Sequence, residues 1–112
     1  AEICHYGAVA GAAERDGLIR VAQMVEKPAP EQAPSDLAVI GRYILTPDIF
    51  DILRDVSPDE RGEIQLTDAL KVQASEGRLL AYEFEGIRFD CGQVPGFVAA
   101  TQHVFEHYYG QH

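Results

Sequence analysis

Leu37-Ala38-Val39-Ile40-Gly41-Arg42-Tyr43-Ile44-Leu45-Thr46-Pro47-Asp48 passes from a nearly continuous apolar run into a helix start. The run Leu37 to Leu45 predicts a strand covered on both faces. Thr46 offers a hydroxyl N-cap, Pro47 suits the first helical position, and Asp48 carries the charge favoured by the dipole there. Ile49, Ile52, Leu53 and Val56 follow at helical spacing until Ser57-Pro58 stops them. A covered strand feeding a helix points to a layered α/β domain, and such sheets bind ligands beyond the carboxyl ends of their strands.

Towards the N-terminus, Ile3 to Ala10 reads as a strand, with Gly7 where a side chain would be costly or a ligand must approach the backbone. Gly11 to Gly17 reads as a surface turn. Leu18 to Glu26 alternates as a half-buried strand, with Ile19, Val21 and Val25 on one face. Pro28, Pro30 and Pro34 then enforce an extended connection. Towards the C-terminus, a helix is predicted over Gln65 to Ser75, with Leu66, Ala69 and Leu70 inward and Gly77 as its stop. Leu79 to Glu85 alternates with Leu80, Tyr82 and Phe84 on one face, and Ile87 to Asp90 makes a short strand ending at Cys91-Gly92. A last helix, Pro95 to Tyr109, gathers Phe97, Thr101, Val104, Phe105 and Tyr108 on one side and closes at Gly110. No internal repeat is visible.

With 112 residues, 46% hydrophobic and 24% charged, the chain suits one domain, or a piece of one, over residues 1–112. Nine Lys and Arg against 18 Asp and Glu give 9 − 18 = −9, the wrong sign for nucleic acid or an anionic membrane surface. No stretch approaches the roughly 20 apolar residues of a membrane span, and the start lacks the pattern of a signal peptide, so the expected location is cytoplasmic. Cys4 and Cys91 match neither a CxxC pair nor a zinc spacing and are expected to be reduced. Residue 1 is not Met and falls at the edge of a predicted strand, which suggests a fragment of a longer protein.

Several residues could carry chemistry. Glu26-Lys27-Pro28 lies where a strand gives way to a rigid loop, so a carboxylate able to accept from sugar hydroxyls sits beside an ammonium able to meet a phosphate. A surface ion pair is the plain alternative. Arg61 to Asp68 places Glu63, Thr67 and Asp68 around a helix start, either as caps or as one wall of a polar site. Asp90 ends a strand, where it is either a turn residue or a magnesium ligand with phosphates completing the shell. His103 and His107 are four apart on a helix, but no third ligand accompanies them, and they read as a solvated face. Phe105, Tyr108 and Tyr109 read as core or subunit contact. No Gly-rich phosphate loop, Ser-His-Asp constellation or nucleophile elbow is present.

Taken in order, Tyr6-Gly7, Val25-Glu26-Lys27-Pro28, Ala33 to Leu45, Gly62-Glu63-Ile64-Gln65-Leu66-Thr67-Asp68-Ala69, Tyr82 to Gly86 and Phe89-Asp90-Cys91-Gly92 resemble the bacterial UTP-glucose-1-phosphate uridylyltransferases, or UDP-glucose pyrophosphorylases. The resemblance spans nearly the whole chain. It implies the later, C-terminal part of a Rossmann-like sugar-nucleotidyltransferase fold, a mixed sheet with flanking helices. It also implies that Gly7 and Glu26 hold glucose hydroxyls, that the Val39 to Gly41 backbone approaches the sugar, and that Lys27 faces the sugar phosphate. Asp90 is similar to one of two aspartates that bind Mg2+, which makes Lys27 and Asp90 the implied catalytic pair. The implied reaction transfers the uridylyl group of UTP to glucose 1-phosphate, giving UDP-glucose and pyrophosphate.

The family's nucleotide loop has no counterpart among these residues, so the isolated chain is expected to lack turnover. Asp36 stands where the family usually has Asn, and Val94 where a lysine is common, which predicts weaker phosphate affinity. The other readings are a non-catalytic sugar-phosphate-binding or subunit-interaction module and a nucleotidyltransferase using another nucleotide. An apolar strand left with open edges further predicts a homo-oligomer.

Overall fold

Gly7–Arg15 (β1) and Leu18–Glu26 (β2) form an antiparallel hairpin on which the rest of the fold is built. The computed structural model describes residues 3–110. Ala38–Val39 (β3) pairs with β1, and Leu80–Tyr82 (β4) pairs with β2, giving the order β3-β1-β2-β4. Ile49–Asp55 (α1) and Leu66–Ser75 (α2) carry the inward faces that cover the sheet. Val94–Val104 (α3) follows and runs on as a π turn over Phe105–Tyr109. The α/β class stands, and every strand pairing among the described residues is antiparallel. No parallel pairing occurs among the described residues, although the resemblance implies a mixed sheet.

Local sequence explains both the agreements and the corrections. The strand expected from Ile3 begins at Gly7, because Ile3–His5 forms a 3-10 turn. The turn expected over Gly11 to Gly17 shrinks to Asp16-Gly17, and the alanine-rich stretch between continues β1. Two bulges make this hairpin irregular. Gln23 pairs with Ala10 and Val21 with Gly11, which leaves Ala22 unpaired. A Cβ on Gly11 would lie 1.9 Å from the Arg20 carbonyl oxygen, so only glycine fits the bulge. The extra residue resets the alternation, and Val21 and Met24 face the core instead of Ile19, Val21 and Val25.

The predicted strand Leu37 to Leu45 is a strand only at Ala38–Val39. Gly41 takes φ 79° and turns the chain away from the sheet, after which Tyr43, Ile44 and Leu45 are exposed. Ile87 to Asp90 is likewise not a strand, since nothing among the described residues pairs with it. In β4 the bulky residues Leu80 and Tyr82 face outward, while Leu79 and Ala81 pack against the core. The expected hydroxyl cap is absent from α1, because Asp48 holds the N-cap position and the Thr46 hydroxyl hydrogen-bonds the Asp48 carboxylate instead.

The core is Val9, Val21 and Met24 from the hairpin, Ile49 from α1, and Ala69, Leu70 and Ala74 from α2. α3 lies outside it, and its apolar residues Phe97 and Val98 are exposed, as is Phe105 in the π turn that follows. The radius of gyration is accordingly 16.8 Å, against about 13 Å for a compact domain of this length. No helix of the described residues is long and apolar enough to cross a membrane. Cys4 is half-buried and Cys91 is exposed.

A polar cluster ties α1 to α2. Asp48 hydrogen-bonds Thr46, accepts from Arg78 at 2.6 Å, and meets the buried Gln73 amide at 3.4 Å. The Thr46 hydroxyl first, and then Arg78, hold the Asp48 carboxyl at about 2, below its ordinary 3.8. A depressed carboxylate contributes stability that is complete above the unfolded value and is lost as pH falls through the folded one. Urea midpoints should therefore fall as pH drops from about 4 towards about 2. Asp48→Asn should flatten that segment of the profile, and an unchanged slope in the variant would show that other groups govern acid unfolding.

Candidate functional site

The hairpin register assembles the site. Gly7 opens β1 and is paired on one side with Glu26, the last residue of β2, and on the other with Val39 of β3. Three residues spread over 32 positions of the sequence thereby become lateral neighbours at one end of the sheet. Gly7 is buried, and a Cβ there would lie 3.3 Å from Glu26 Oε2 and 3.7 Å from Val39 Cβ. The Glu26 carboxylate thus lies across the Gly7 backbone. Thr67, in the first turn of α2, donates its hydroxyl to Glu26 Oε2 at 2.9 Å. The pKa of the Tyr43 phenol is raised from its ordinary value, by the partial burial of its ring first and then by the negative charge of Glu26.

Lys27 follows Glu26 at φ 44°, the one non-glycine residue with positive φ among the described residues. Its N–H donates to the Tyr6 carbonyl at 3.0 Å, which fixes the turn out of β2. The Lys27 ammonium makes no ion pair among the described residues. A lysine held in the left-handed region, with a free charge beside a carboxylate, is the kind of strained position that clusters at ligand sites.

Tyr6 links this corner to Asp90. Its hydroxyl donates to Asp90 Oδ2 at 3.3 Å, and the Arg88 guanidinium donates to the same hydroxyl while lying 4.3 Å from the Tyr6 ring centroid and 3.4 Å from Oδ2. Asp90 Oδ1 accepts the Gly92 N–H at 3.1 Å. A carboxylate offers about four lone-pair directions, so one remains for a cation. No group of three or more His, Cys, Asp or Glu among the described residues could hold a metal ion. Asp90 therefore fits the part of a single ligand to Mg2+, which commonly takes one or two protein carboxylates and completes its shell with phosphate and water.

The structure brings Gly7, Glu26, Lys27 and Val39 together and connects Asp90 to them through Tyr6. Gly41 lies beyond β3 in open chain, with nothing within 4 Å of a Cβ built on it. The wall expected from Arg61 to Asp68 is supplied by Thr67. Glu63 instead joins a loop centred on Asp59, whose carboxylate accepts the Arg61 and Glu63 amides and the Gln65 side chain. His103 and His107 stack on each other at 4.0 Å, and His103 also lies 5.3 Å from the Phe89 ring. Sequence spacing missed Arg88, and it gave no sign that Thr67 meets Glu26 or that Tyr6 meets Asp90, because Arg88 reaches Tyr6 across 82 positions, Thr67 reaches Glu26 across 41 and Tyr6 reaches Asp90 across 84.

Beside this arrangement, the chain is similar to known proteins along most of its length. It is 59% identical over 104 residues to a UTP-glucose-1-phosphate uridylyltransferase of Pseudomonas aeruginosa, covering 93% of this chain and 37% of the relative. It is 52% identical over 101 residues to one from Streptococcus pneumoniae serotype 4, covering 89% of this chain and 34% of that protein. A solved UDP-glucose pyrophosphorylase complexed with UDP-glucose superposes with a TM-score of 0.84 at 50% identity, over 94% of this chain and 40% of that one. UTP-bound UGPase from Acinetobacter baumannii gives 0.74 at 35% identity, over 96% of this chain and 37% of that one. The chain thus spans little more than a third of the length of the curated relatives it matches. Its residues 3–107 match the family described as Nucleotidyl transferase. Because that match runs over most of the chain, the chain belongs to the nucleotidyl transferase family.

Proposed function

We propose that residues 1–112 are the sugar-binding part of an enzyme that transfers the uridylyl group of UTP to glucose 1-phosphate. The observation that carries this reading is the convergence of Gly7, Glu26 and Val39 at one sheet end, with the unpaired Lys27 ammonium beside them. In the reaction, an oxygen of the glucose phosphate bonds to the α-phosphorus of UTP, the bond from that phosphorus to the β-phosphate breaks, and pyrophosphate leaves. Glu26 accepts hydrogen bonds from glucose hydroxyls and fixes the sugar. The Gly7 and Val39 backbones form the walls, and Lys27 meets the sugar phosphate, which places the attacking oxygen. Asp90 would hold Mg2+, which when bound supplies charge neutralisation for the crowded phosphates. Tyr6 and Arg88 hold the Asp90 carboxylate in register with the Lys27 corner. We also infer a cytoplasmic homo-oligomer; the assembly is supported by the exposed apolar side of α3 and by β3 and β4 standing at the sheet edges among the described residues.

Calorimetric titration of UDP-glucose with Mg2+ into the 112-residue chain tests the sugar site. Glu26→Ala should weaken binding about tenfold, the loss expected when a charged acceptor of hydrogen bonds is removed. Equal affinity of the variant and the parent would overturn the role given to Glu26.

A further inference from the structure

A carboxylate at a strand end is a useful sugar acceptor only if it is held in one orientation, and Glu26, the last residue of β2, has one side-chain hydrogen bond among the described residues, to Thr67 on another element. We propose that Thr67 is a positioning residue whose hydroxyl fixes Glu26 Oε2 and so presents Oε1 to a sugar hydroxyl. This rests on the sugar-site reading above and adds to it a residue on a different element. The contact is a 2.9 Å hydrogen bond between groups 41 positions apart.

Three features give the contact its direction. Thr67 stands in the first turn of α2, where a Thr hydroxyl ordinarily bonds the backbone of its own helix start. Here no side chain caps that start, and the Thr67 hydroxyl points at the strand instead. Second, α2 is firmly docked just beyond it, since Ala69 and Leu70 are both buried in the core. A donor two residues from such an anchor moves little, and a short β-branched side chain adds little freedom of its own. Third, Oε2 is boxed on its other side by the Gly7 backbone, where a Cβ would come within 3.3 Å. Among the described residues Oε1 makes no hydrogen bond, so it is the oxygen left to the ligand.

The chemistry of the donor matters as well. A lysine or arginine in the place of Thr67 would orient the carboxylate but would also neutralise it. A hydroxyl orients Glu26 while leaving its charge for the sugar. Freezing the side chain before the ligand arrives removes part of the ordering cost of binding.

The test titrates UDP-glucose into the parent chain, Thr67→Val, Thr67→Ser, Glu26→Ala and the double variant, and melts each by circular dichroism. Thr67→Val keeps the shape and removes the donor, and it should weaken UDP-glucose binding about threefold to tenfold while leaving the melting midpoint unchanged. Thr67→Ser, which keeps the hydroxyl, should bind within about twofold of the parent. In the Glu26→Ala background Thr67→Val should have no further effect, because the two residues act as one unit. Parental affinity in Thr67→Val, equal losses in the Ser and Val variants, or a binding loss that tracks a lowered melting midpoint would each overturn the proposal. A Glu26→Ala variant that loses binding beside a Thr67→Val variant that does not would overturn this inference alone. A parent that binds no UDP-glucose would overturn the sugar-site reading and this inference with it.

Discussion

Leu70→Ala is expected to destabilise the chain by about 2–5 kcal/mol, the range for removing a buried leucine side chain when the cavity cannot fully collapse. Leu70 is 1% exposed and, with Ile49 and Val21, is one of the three largest fully buried side chains. Three of the eight buried hydrophobic residues among the described ones are alanines, so few large side chains are available to fill the space it would leave. Domains of this size have a stability of about 5–15 kcal/mol, and the loss is a large share of that. Val72→Ala on the same helix is the control: Val72 is exposed, and its replacement should stay within about 0.5 kcal/mol. Urea unfolding followed by circular dichroism measures both. A loss below about 1 kcal/mol for Leu70→Ala would show that α2 is held by something other than this contact. Because Thr67 is three residues away on the same helix, undocking α2 should also release Glu26, and the stability of the core and the order of the site are expected to fail together.

How much of this was legible in the sequence depended on the range over which the decisive interaction acts. The helices α1, α2 and α3 and the strand β2 were written in local periodicity and punctuation. Thr46-Pro47-Asp48, Gly77 and Gly110 each mark an end within a residue or two of the observed one. The faces of β2 were not legible, because one unpaired residue, Ala22, resets an alternation that is otherwise regular. The apolar run Leu37 to Leu45 misled for a related reason. Apolarity says that a segment will be covered, but strand geometry also needs a partner, and past Gly41 none is at hand among the described residues. Glu26, Lys27 and Asp90 could be singled out because charged groups at strand ends are where sheets meet ligands. Arg88 could not, nor could the pairing of Thr67 with Glu26 and of Tyr6 with Asp90, since these contacts span 41 or more positions that no spacing encodes.

Lys27 separates stability from binding most sharply. At φ 44° it occupies a region that costs a residue with a side chain on the order of 1 kcal/mol, whereas glycine enters it freely. Lys27→Gly removes that strain but adds freedom to the unfolded chain, by about 0.5–1 kcal/mol. The two nearly cancel, so its thermal midpoint should match or slightly exceed that of the parent. Lys27→Ala keeps the strain and should melt at or below the parent. Binding should not follow this order. Both variants lose the ammonium that faces the sugar phosphate, and the formal charge moves from −9 to −10, which repels an anionic ligand further. Losing a charge-assisted contact of about 2–3 kcal/mol predicts a fall in UDP-glucose affinity of about 30-fold to 150-fold in each. Melting curves and calorimetric titration of the three proteins decide the matter. If Lys27→Gly bound UDP-glucose as the parent does, the ammonium would have no part in the site, and the strain would have to serve the path of the chain into Pro28 instead. If it binds weakly while melting no lower, the left-handed lysine is there for the ligand, because the fold is as well served without it.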